Sequence, residues 1–65
     1  MTVEELLNVY NNCVGANYGV FDEKNTLYLY EHNRKELIKD FGNRNVKCFA
    51  IENESTIGLL IFLTD

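Results

Sequence analysis

Five consecutive apolar residues, Leu59-Leu60-Ile61-Phe62-Leu63, do most to limit what this chain can become. Successive side chains of a strand point to opposite faces, so a strand over 56–63 needs cover on both sides and belongs in the interior of a sheet. The run is too short to cross a membrane as a helix, which takes roughly 20 apolar residues.

The segments before it supply the rest of such a sheet. Thr2 followed by Glu5 has the spacing of a capping box, and Val3, Leu6, Leu7, Tyr10, Cys13 and Val14 recur at helical intervals up to Gly15. That spacing predicts a helix over 3–13. Strands over 17–22 (Tyr18, Val20, Phe21) and 26–31 (Leu27, Tyr28, Leu29, Tyr30) flank the polar Asp22-Glu23-Lys24-Asn25, as in a hairpin. Asn33 and Glu36 repeat the capping logic. With Leu37, Ile38, Phe41 and a terminating Gly42 they predict a second helix over 34–41. A third strand over 46–52 then turns through Asn53-Glu54 into 56–63. The expected fold is α+β, two-layered, in the order helix, hairpin, helix, hairpin (αββαββ), with a four-stranded antiparallel sheet.

Sixty-five residues make a single domain, 1–65. Two αββ halves, 1–32 and 33–65, resemble each other at a shift of thirty-one: Tyr10 falls on Phe41, Tyr18 on Phe49, Val20 on Ile51 and Leu29 on Leu60. Capped helices generate much of this match by themselves.

Charge and residue chemistry exclude more functions than they suggest. Six basic and ten acidic residues give a net charge of −4, and the cations form no long run, which disfavours binding to nucleic acid through phosphate neutralisation. The acidic surface reads as a solubility device rather than as a mimic of nucleic acid. His32 is the only imidazole and Ser55 the only serine, and no motif surrounds either. The glycines at 15, 19, 42 and 58 form no phosphate-cradling loop. Cys13, His32 and Cys48 lack paired metal-ligand spacing, and neither acidic turn has the ligand pattern of a calcium loop. No catalytic, cofactor or metal site is expected, and no enzymatic activity.

The amphipathic N-terminus does not read as a signal peptide. A cytoplasmic setting with Cys13 and Cys48 unlinked and buried in the packing is expected. The abundance of Asn, together with Lys, Ile and Tyr, fits an AT-rich bacterial or phage genome.

What remains is surface. Two short helices cover one face of a four-stranded sheet, and the strands carry apolar residues for two. An uncovered apolar face marks association, so the expected partner is a second copy, as a homodimer, or a protein client. Tyr28, Tyr30, Phe49 and Phe62 are the expected interface residues, because aromatic rings bury area at interfaces while a tyrosine hydroxyl keeps a polar partner. One helix on each face, filling a three-layer monomer, is the competing arrangement.

The order of elements, the opening Met1-Thr2-Val3-Glu4-Glu5-Leu6-Leu7 and the small acidic chain resemble the short orphan proteins of phages and prophages of Gram-positive bacteria. Some similar proteins inhibit host or defence proteins by direct binding. The resemblance therefore implies an accessory protein that binds a host or viral protein. Self-association without a separate client, and a small-ligand-binding domain or enzyme, are the other functional readings.

Overall fold

The computed structural model describes residues 1–9, 17–31, 33–51 and 57–64. Its elements are α1 (Val3–Val9), β1 (Asn17–Phe21), β2 (Leu27–Tyr30), α2 (Arg34–Phe41), β3 (Val46–Ile51) and β4 (Ile57–Leu63). The expected helical continuation over 10–13 and the Asn53-Glu54 turn lie outside the described residues, as do Cys13, His32 and Ser55.

Both helices start where their side chains predict. The Thr2 Oγ1 accepts from the Glu5 N–H at 3.2 Å, and Glu5 Oε1 accepts from the Thr2 N–H at 2.8 Å. The rest of the chain completes this cap. The carbonyls of Arg44 and Gly42 accept from the N–H groups of Val3 and Glu4 at 3.0 and 3.1 Å, so the otherwise orphaned amides of the first turn are satisfied. At α2, Asn33 Oδ1 accepts from the Glu36 N–H at 3.2 Å.

Gly42 ends α2 in a right-handed conformation (φ −54°, ψ −34°), so the left-handed freedom of glycine is not what this position uses. The requirement is room, since a Cβ there would lie 2.4 Å from the Ile38 carbonyl oxygen.

The sheet is mixed, in the order β2-β1-β4-β3, which corrects the expectation of an antiparallel one. β1 pairs antiparallel with β2, and β4 antiparallel with β3, but β1 and β4 run parallel at the centre. The cause is α2. A helix laid along the sheet carries the chain back to the end where β2 began, so β3 runs the same way as β2 and β4 the same way as β1. When the doubly apolar β4 takes the interior position beside β1, that contact is parallel. The central strands, β1 and β4, do not correspond under the shift of thirty-one.

The core lies on one face of this sheet. Val3, Leu6 and Leu7 of α1 and Leu37 of α2 meet Tyr18 and Val20 of β1 and Leu59, Ile61 and Leu63 of β4, all buried. Ile38, Phe41, Tyr30 and Val46 pack around them.

Candidate functional site

Strand register sorts the residues paired across all four strands onto two faces. On the helix side, Tyr28, Val20, Ile61 and Phe49 form one row across the four strands, and Tyr30, Tyr18, Leu59 and Ile51 a second. On the opposite side, Leu27, Phe21, Phe62 and Cys48 form one row, and Leu29, Gly19, Leu60 and Ala50 the next. None of these last eight positions carries a charge.

This register separates the four residues expected to form an interface. Only Phe62 lies on the open face, where its ring stacks on Phe21 with centroids 5.2 Å apart and planes 6° from parallel. Tyr28 and Tyr30 turn toward α2, their rings 5.0 and 6.2 Å from that of Phe41. Their hydroxyls are committed as well. Tyr28 donates to Asp22 Oδ2 at 3.2 Å and Tyr30 to Asp40 Oδ2 at 2.8 Å. Burial, and then the Asp40 hydrogen bond, push the Tyr30 phenol well above its usual range. The bond to Asp22 pushes Tyr28 up too. Phe49 lies at the outer end of a helix-side row. The alternation was readable, but which set faced the helices was not. The sequence reading missed Phe21, Leu27, Leu29 and Leu60, which occupy the open face together with Phe62.

Leu29 is 59% exposed and Leu27 41%, although both are strand leucines. Cys48 is free and exposed, which corrects the expectation that it belongs to the packing. The reason is an irregularity in β3. Val46 pairs with Leu63 and Cys48 with the adjacent Phe62, so the two residues of β3 that flank Lys47 turn to opposite faces. Val46 joins the core and Cys48 the open side.

The edges of the sheet are better defended than its face. β2 has four residues. The start of β3 carries the irregularity at Lys47, its Val46 N–H donates to the Met1 carbonyl at 2.7 Å, and Thr2 bridges Asn45. Short strands, bulges and edge lysines are the usual obstacles to edge-to-edge pairing.

Charge gathers away from the open face. Asp22 organises the first hairpin: its Oδ1 accepts from the N–H groups of Lys24 and Thr26, both at 2.9 Å. Those bonds, the one from Thr26 foremost, hold its carboxyl below the usual range. Beside it, Glu23 pairs with Arg44 at 2.6 Å and ties the hairpin tip to the loop after α2. Among the described residues, no three His, Cys, Asp or Glu side chains converge as metal ligands, and no helix is long and apolar enough to cross a membrane. No protein-family model, curated protein or solved structure matches the chain.

Proposed function

We propose that this chain acts by protein association, binding a protein surface through the open face of its sheet in the manner of a small phage or prophage accessory protein, without chemistry of its own. The observation that carries this reading is the pair of uncharged rows across all four strands, with stacked Phe21 and Phe62 at their centre and Leu27 and Leu29 exposed beside them. Burying one large apolar side chain is worth about 1.5–3 kcal/mol, so a few of them match the whole net stability of so small a core, about 3–5 kcal/mol. Acidic groups on the helices and at the hairpin tip keep the chain soluble while leaving this face neutral.

The test is photocrosslinking in the cell that produces the protein, with a photoreactive phenylalanine at position 29 or, as control, at the exposed Lys35 on α2. Protein adducts at 29 and not at 35 are expected. No adduct at 29, or equal adducts at both, refutes the reading.

A further inference from the structure

We draw no further inference here: the strongest candidate, the uncharged sheet face around the stacked rings of Phe21 and Phe62, belongs to the association already proposed, and nothing in the structure shows what covers it.

Discussion

Gly42 and Asp22 are single residues whose geometry reverses or sharpens an ordinary expectation. Replacing glycine by alanine in a right-handed helical conformation usually stabilises a protein, by about 0.4–1 kcal/mol. At Gly42 the new Cβ would meet the Ile38 carbonyl oxygen at 2.4 Å, and the Gly42 carbonyl also caps α1 through the Glu4 N–H, so any shift to relieve the clash disturbs both helices. Gly42→Ala is expected to destabilise by about 1–3 kcal/mol. A higher denaturation midpoint in urea would contradict this. At Asp22 the consequence is pH dependence. A carboxyl whose pKa is depressed by folding contributes stability that is present above its unfolded value and lost as the pH falls through the folded one. Glu5, held down by the Thr2 amide and hydroxyl, and Glu23, held down by its own backbone N–H and by Arg44, act in the same direction. Melting temperature should fall as the pH drops below about 4, and less steeply in Asp22→Asn, which keeps an oxygen for the turn amides but no carboxylate. Identical acid profiles for the two proteins would remove Asp22 from the account.

At the scale of elements, the helices depend on their caps, because α1 (Val3–Val9) and α2 (Arg34–Phe41) are too short to persist alone. Thr2→Ala breaks the reciprocal pair with Glu5, and Asn33→Ala leaves the Glu36 N–H without its acceptor. Each should cost about 1 kcal/mol in chemical denaturation, with Thr2→Ser close to wild type. The hairpin tip obeys comparable local rules. Asn25 takes a positive φ of 62°, which asparagine tolerates better than most residues, and Asp22 closes the turn around it. All of these signals act over three to five residues, which is why the helix starts and the first hairpin were legible in the sequence. The irregularity in β3 was not. Nothing in Val46-Lys47-Cys48 announces that Val46 and Cys48 will part to opposite faces, and the exposed cysteine follows from that alone.

For the whole molecule, the core lies between the two helices and one face of the sheet, while Leu27, Leu29, Phe21, Leu60 and Phe62 sit on the other. Where the proposed association is with a second copy, it adds stability by mass action, and the melting temperature should then rise with the protein's own concentration. In Leu29→Asp that dependence should vanish, while the dilute-limit melting temperature changes little, because Leu29 is 59% exposed in the single chain. A wild-type melting temperature that does not change with concentration would count against association in the resting protein. What the sequence determined by itself was local: where helices start, where the first hairpin turns, and that the run through Leu63 lies inside the sheet. Tertiary structure decided the direction of that strand beside β1, and which alternating set meets the helices. Alternation is symmetric between the two faces, so Leu27 with Leu29 and Tyr28 with Tyr30 were equal candidates for the core side. The choice fell to Phe41 and the carboxylates of Asp22 and Asp40, which give the tyrosine rings and hydroxyls partners that the leucines could not use.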